Sequence, residues 1–260
     1  MIYKGKYKII DNFITVCDYD FILKKIEEGI SKKSSLLISP IASHTLVRAH
    51  CDNNLKKILD KFDYLVPDSQ WVRWSIPYLY GKEKGLEDRV YGPNLMLKSC
   101  GLAEEKNYKI FLYGNKESIL EKLKKKLDNT YPSIKIVGEE ASKFKELTKN
   151  EWHDLIKKIT NSKANIIIIS LGSPKQEVFS LELFKRLKKP LVIIPVGAAF
   201  DFISGHKPQA SKLVQNLGME WLFRLLTEPR RLFFRYIPYG ANFIFLILYQ
   251  KIKLLFKNQN

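Results

Sequence analysis

Short apolar runs alternate with amphipathic segments along most of the chain. Six runs end in small or polar residues, and they cover positions 35–39, 64–66, 109–113, 134–137, 165–171 and 191–196. Between the runs, positions 20–31, 45–61, 116–129, 151–162 and 176–187 carry apolar residues at helical spacing. Buried strands that alternate with helices are typical of a parallel sheet. The pattern therefore predicts an α/β fold, a parallel sheet flanked by helices.

The segment after residue 217 has a different character, because arginines stand there among large apolar residues. Arg224, Arg230 and Arg231 precede an almost wholly apolar stretch of nine residues, 241–249, which lysines follow. A bilayer span takes about 20 residues, so this stretch is too short. The composition favours a helix lying in a membrane interface, and the alternative is a C-terminal helix packed on the domain. We predict an α/β domain over 1–210 and a basic, amphipathic, membrane-docking appendage over 211–260.

The net charge constrains the partners of the chain. Its 260 residues include 44 Lys and Arg against 27 Asp and Glu, a net charge of +17. Such an excess indicates nucleic acid, an anionic membrane surface or a phosphorylated substrate, unless lysine is simply abundant throughout the source proteome. The three cysteines and four histidines are dispersed without metal-ligand spacing. This usage is typical of a reducing cytoplasm and predicts no metal site, and the N-terminus lacks the apolar core of a signal peptide.

Small or polar residues follow four of the predicted strands. They lie at 67–70, 114–115, 172–177 and 197–201. In parallel sheets, ligands bind beyond the carboxyl ends of the strands. Asp68 is placed there to take a proton from a hydroxyl group, although an Asp after a Pro is also a common turn or helix-cap residue.

Two further motifs carry groups suited to anions. Arg89 offers a planar charged fork that fits a diphosphate, and Asn94 is placed to cap a helix that begins at Leu95. The turn at 172–177 resembles an anion-facing helix start, and Asp201 either faces the ligand or caps the next turn. Neither GxxxxGK[ST] nor GxGxxG occurs in the chain, which argues against an NTPase or a dinucleotide enzyme.

Taken together and in order, these motifs resemble the WecG/TagA/CpsF glycosyltransferase family, from about residue 36 to residue 236. The carriers are VPDSQWVRW, DRVYGPNLM, FLYGN, SLGSPKQE, VGAAFDFISG and NLGMEWLFRLLTEPRRLFFRY. The resemblance implies a Rossmann-like core and an inverting, metal-independent transfer from a UDP-sugar to an undecaprenyl-diphosphate-linked sugar in cell-surface polysaccharide synthesis. It implies no cofactor and a peripheral position on the cytoplasmic face of the plasma membrane. The resemblance does not decide whether the chain forms a homo-oligomer.

The resemblance also assigns residues. Asp68 falls at the family's proposed catalytic base, Arg89 at a pocket position suited to the diphosphate, and Arg224 and Arg231 at appendage arginines. A third family arginine falls at Phe234, one place before Arg235, and this chain has Asp68-Ser69 where the family often has Asp-Gly. With Asp68 and Arg89 as catalytic residues, the predicted substrate-binding set is His44, Ser69, Gln70, Tyr91, Asn94, Gly114, Gly172, Pro174, Lys175, Gln176, Glu177, Gly197, Phe200, Asp201, Arg224, Arg231 and Arg235.

Two other classes of protein remain as alternatives. The charge allows a non-enzymatic basic module that binds nucleic acid or membrane, but no recognisable RNA- or DNA-binding motif is present, so we expect no nucleic-acid partner. A UDP-sugar epimerase is the other, and the missing GxGxxG argues against it because such enzymes usually bind NAD.

Overall fold

The computed structural model describes residues 1–187 and 189–257, and it gives the backbone but not the side chain of residue 235. The chain begins with an antiparallel hairpin of β1 (Tyr3–Ile9) and β2 (Asn12–Cys17). No element was predicted for this segment. Its second strand is largely buried, and Ile9, Ile14 and Val16 enter the core of the domain.

A six-stranded parallel sheet forms the centre of the molecule. Its strands are β3 (Leu36–Ile41), β4 (Tyr64–Pro67), β5 (Lys109–Gly114), β6 (Lys135–Glu140), β7 (Ile166–Ser170) and β8 (Val192–Pro195). They are arranged in the order β4-β3-β8-β7-β5-β6, and every pairing is parallel. The predicted α/β fold is confirmed, with each predicted run overlapping one strand.

Helices cover both faces of the sheet and form the C-terminal part. They are α1 (Tyr19–Ser31), α2 (Ser43–Cys51), α3 (Asn53–Leu59), α4 (Gln70–Tyr80), α5 (Gly92–Glu105), α6 (Glu117–Thr130), α7 (Lys149–Ser162), α8 (Lys175–Arg186), α9 (Ala199–Ile203), α10 (Lys212–Asn216), α11 (Glu220–Thr227) and α12 (Pro229–Lys257). A 3₁₀ turn at Lys82–Lys84 follows α4.

Two local predictions are wrong. The segment 45–61 is not one helix, because Asp52 leaves the helical conformation and its carboxylate accepts hydrogen bonds from the N–H groups of Asn54 and Leu55. It therefore ends α2 and begins α3. Asn94 does not cap α5, since that helix begins at Gly92 and Asn94 lies exposed in its first turn.

The two faces of the sheet bury separate apolar clusters. In β7, Ile166 and Ile168 point to the face covered by α1, α5, α6 and α9. Ile167 and Ile169 point to the other face, where α2, α3, α4, α7 and α8 pack. The alternation follows from the two-residue period of a strand. A run of isoleucines buried on both sides is what a central parallel strand requires.

The last helix, α12, packs against this second cluster along one side. Phe243 and Ile247 are buried there, next to α2 and α4. Near its end, Gln250 donates a hydrogen bond to the carbonyl of Lys8 (2.7 Å) and accepts one from the N–H of Ile10 (2.8 Å). At 29 residues, α12 is also long and apolar enough to cross a membrane by length and composition. The predicted apolar stretch is thus the middle of a much longer helix.

The end of β5 allows a test of the fold. Gly114 has φ +118°, and a Cβ there would overlap the backbone of Ser170 on β7. We expect Gly114→Ala to lower the free energy of unfolding by at least about 2 kcal/mol, because strain and overlap add. Urea unfolding measures this loss. The matched control is Gly101→Ala within α5, where the new methyl group meets only an ordinary contact with Tyr131 and helix propensity improves. Equal stability of the two variants would contradict the expected overlap.

Candidate active site

A cavity of about 690 Å³ opens at the carboxyl ends of the strands. Its floor is formed by residues at the ends of four strands: Pro40 of β3, Asp68 after β4, Ser170 of β7 and Val196 after β8. Helices α11 and α12 form the side opposite the sheet. The predicted location of a ligand beyond the strand ends coincides with this cavity.

Asp68 lies at the floor, directly after β4. It does not cap α4, since Ser69 does so by accepting from the N–H of Val72. Instead, its Oδ1 accepts a hydrogen bond from the N–H of Gly92 (2.8 Å) at the start of α5. Burial raises the pKa of the Asp68 carboxyl, and Glu220 raises it further. Arg89 and the N–H of Gly92 lower this pKa, but the net direction is upward. A carboxylate with a raised pKa is a better proton acceptor.

Arg89 and Glu220 form a buried ion pair beside Asp68. The guanidinium donates to Oε2 of Glu220 (2.5 Å) and to Oε1 of Gln215 (3.0 Å), and its side chain is 6% exposed. Tyr91 donates its hydroxyl hydrogen to the other oxygen of Glu220 (2.9 Å), and the guanidinium lies 4.1 Å from the centre of the Tyr91 ring. Glu220 is the first residue of α11, so this group connects the loop before α5 to the C-terminal helices.

Gln176 connects the loops that follow β7 and β8. Its Oε1 accepts from the N–H of Gly197 (2.9 Å), and the hydroxyl of Ser170 donates to the carbonyl of Gly197 (2.6 Å). The amide of Gln176 donates to Glu177 (3.0 Å), which also accepts from Ser39 on β3 (3.3 Å). Glu177 is fully buried behind the cavity wall, and burial raises the pKa of its carboxyl. The network holds three strand ends in register around the cavity.

Basic side chains face the floor from the C-terminal helices. Arg224 on α11 is partly buried. Burial lowers the pKa of its guanidinium, but neighbouring groups that include Glu220 and Asp68 raise it, and the net direction is upward. Arg231 on α12 lies at the cavity wall, where its guanidinium forms two hydrogen bonds with Glu228 (2.6 and 2.7 Å). The floor and this wall together offer a carboxylate opposite several guanidinium groups.

The structure brings most of the predicted site residues together. Those that line the cavity are His44, Asp68, Ser69, Gln70, Arg89, Tyr91, Gly172, Gln176, Gly197, Asp201, Arg224 and Arg231. Outside the lining are Asn94, Gly114, Pro174, Lys175, Glu177 and Phe200. Phe200 belongs to the core, and Lys175 is exposed on α8. The side chain of Arg235 is outside the described part of the structure.

Several lining residues were not predicted from the sequence. They include Trp71, Phe144, Gln215, Glu220, Trp221, Tyr236, Ile237, Gly240 and Ile244. Glu220 is an acidic residue in a strongly basic segment, and this contrast is the sequence signal that could have identified it as a site residue. Within residues 1–187 and 189–257, no cluster of three His, Cys, Asp or Glu side chains is placed to hold a metal ion.

Comparison with known proteins gives two results. A family model described as the glycosyl transferase WecG/TagA/CpsF family matches residues 7–257. The chain is 27% identical over 202 residues to a protein of Bacillus subtilis (strain 168), N-acetylglucosaminyldiphosphoundecaprenol N-acetyl-beta-D-mannosaminyltransferase. That match covers 78% of this chain and 75% of the relative. The alternative of a non-enzymatic basic module therefore does not hold.

The position of Glu220 predicts a change in the titration of Asp68. The carboxylate of Glu220 raises the pKa of Asp68 directly and also forms an ion pair with the guanidinium of Arg89. Glu220→Gln removes a negative charge and leaves Arg89 uncompensated, so we expect the pKa of Asp68 to fall. The ¹³C shift of the Asp68 carboxyl, assigned by its loss in Asp68→Asn, measures this pKa.

The matched control for this titration is Glu182→Gln. Glu182 is partly exposed on α8 and pairs with Arg186 of the same helix, so removal of its charge leaves the pKa of Asp68 unchanged. An unchanged or higher pKa in Glu220→Gln would contradict the expected role of the ion pair.

Proposed function

The chain belongs to the WecG/TagA/CpsF glycosyltransferase family, and we propose that it transfers a sugar, with inversion, from a UDP-sugar to an undecaprenyl-diphosphate-linked acceptor. The observation that supports this most directly is the cavity itself. The Asp68 carboxylate shares a cavity of about 690 Å³ with guanidinium groups from three different elements. A hydroxyl acceptor and an anionic leaving group need that combination.

Asp68 acts in this proposal as the general base. It takes the proton from the acceptor hydroxyl, whose oxygen attacks the anomeric carbon from the side opposite UDP. The C–O bond to UDP breaks, and UDP departs with the bonding electron pair. The N–H of Gly92 fixes one carboxylate oxygen, and the raised pKa favours proton uptake.

Arginines stabilise the departing diphosphate. Arg224 and Arg231 face the cavity from the C-terminal helices. Arg89 reaches the diphosphate by sharing or exchanging its contact with Glu220, to which it is bound in this structure. The proposal needs no metal ion, so transfer should persist in EDTA. The donor lies across the loops that hold Asn115, Gly172, Gly197 and Asp201.

The acceptor and the location follow from the relative and from α12. The name of the B. subtilis protein makes N-acetylglucosaminyl-diphosphoundecaprenol the first acceptor to test and UDP-N-acetylmannosamine the first donor. The outer side of α12 exposes Phe234, Phe245 and Phe256. With the net charge of +17, this surface suits an anionic membrane. We place the enzyme on the cytoplasmic face, as a peripheral protein, with residues 211–260 as its appendage.

The test of the proposed function is a donor screen. A panel of UDP-sugars is incubated with the enzyme and with a short-chain polyprenyl-diphosphate-N-acetylglucosamine, in the presence and absence of EDTA. We expect one donor to give UDP release that depends on the acceptor. If no donor gives acceptor-dependent release, the proposed function is wrong.

The base assignment is tested by Asp68→Asn in the same assay. The amide keeps the size of the side chain but cannot take the proton, so kcat should fall at least about 10²-fold. Binding of UDP, measured by calorimetry, should change little because the charge of Asp68 lies on the acceptor side. Near-normal turnover would contradict the assignment. Asp60→Asn, an exposed residue at the end of α3, is the matched control.

A further inference from the structure

One side of α12 forms a wall of the cavity. Tyr236, Ile237, Gly240, Ala241 and Ile244 all line it. From Ile237 the spacing is i, i+3, i+4 and i+7, which places these four residues on one side of a helix. The buried residues Phe243 and Ile247 lie on the adjoining side of the helix, and Phe243 also contributes to the cavity lining.

The same side stays apolar beyond the cavity. Further steps of three and four residues from Ile244 lead to Leu248, Ile252 and Leu255, and Lys251 borders this row, with its ammonium group donating to the carbonyl of Leu79 (3.3 Å). The large side chains along it, from Ile237 to Leu255, are between 42% and 55% exposed. From Ile237 to Leu255 the helix extends about 27 Å, at 1.5 Å per residue. We call this row of residues, Ile237, Gly240, Ala241, Ile244, Leu248, Ile252 and Leu255, the α12 stripe.

There is room for a ligand where the α12 stripe meets the cavity. A Cβ added to Gly240 would have no atom within 4 Å. The apolar side chains of Trp71 and Phe144 also line the cavity. A continuous exposed apolar surface of this kind generally marks a binding site.

We propose that the α12 stripe binds the first isoprene units of the acceptor's polyprenyl chain. The inference rests on the proposed function, because it concerns the acceptor of that reaction. The cavity lining holds Asp68 and the arginines, and the first four residues of the α12 stripe line the same cavity. An acceptor with a sugar and a diphosphate at one end and a long apolar chain at the other matches this order of surfaces.

The experiment compares two acceptors that differ only in their chain. Both carry N-acetylglucosamine diphosphate, one esterified with a farnesyl group and the other with a methyl group, and both are used without detergent or membrane. The full-length enzyme should show a KM at least about tenfold lower for the farnesyl acceptor, because each buried methylene adds to binding.

Gly240→Leu is the variant that fills the space. It should fold, because the site is open and leucine favours a helix over glycine. We expect the KM ratio between the two acceptors to fall towards one, with the KM for the UDP-sugar unchanged. Ile244→Ser, which removes apolar contact without adding volume, should lower the ratio as well.

Phe245→Ser is the matched control. Phe245 is 67% exposed on the same helix and lies outside the cavity lining. This variant should keep the KM ratio and should lower flotation with vesicles of phosphatidylglycerol. If Gly240→Leu and Ile244→Ser keep the ratio and instead reduce flotation or self-association, the stripe contacts the membrane or a second copy of the chain, and the proposal is overturned.

The two proposals fail in different ways. Absence of UDP release with both acceptors would defeat the proposed function. Release with equal KM values for the farnesyl and methyl acceptors would leave that function intact and defeat the binding of the chain by the stripe.

Discussion

The buried ion pair between Arg89 and Glu220 joins the parallel sheet to the C-terminal helices. Arg89 precedes α5 and Glu220 opens α11, so the two residues lie 131 positions apart in the chain. A guanidinium and a carboxylate this poorly exposed require each other, because removal of either leaves an uncompensated buried charge. The pair therefore fixes α11 over the strand ends. It also sets the position from which Arg224 acts on Asp68.

The same ion pair decides how basic Asp68 can be. Beside an unpaired arginine, a carboxylate has a low pKa and accepts a proton poorly. Here Glu220 balances Arg89, and burial keeps the pKa of Asp68 above its ordinary value. Close approach of the α5 start is also needed, and Gly92 permits it, since a Cβ there would come within 2.9 Å of the Val196 carbonyl oxygen. Packing and electrostatics thus act on one carboxylate.

The sheet could be predicted from the sequence because its strands are continuous apolar runs, as in Ile166–Ser170. The β1–β2 hairpin was not predicted, although lysines alternate with Tyr7 and Ile9 along β1 in the pattern of a half-buried strand. α4 was also missed, since Pro77 lies inside it. In the site, loops after strands identified Asp68, Gln176 and Gly197. Glu220 and the residues of α12 depend on long-range packing, which no local pattern records.

Of the two predicted alternatives for the C-terminal helix, packing on the domain is confirmed, and docking to a membrane stays a proposal. α12 packs on the domain through Phe243 and Ile247, and it exposes Phe245 on another side. Gln250 holds its far end to the hairpin, and the ion pair holds α11 just before it. A helix attached at both ends keeps its cavity-facing side in a fixed direction. An outer side that met a membrane would then hold the cavity mouth at a set angle to the bilayer. Under the proposed function, docking of the enzyme and entry of a lipid-linked substrate would then be one geometric requirement, set by the packing of a single helix.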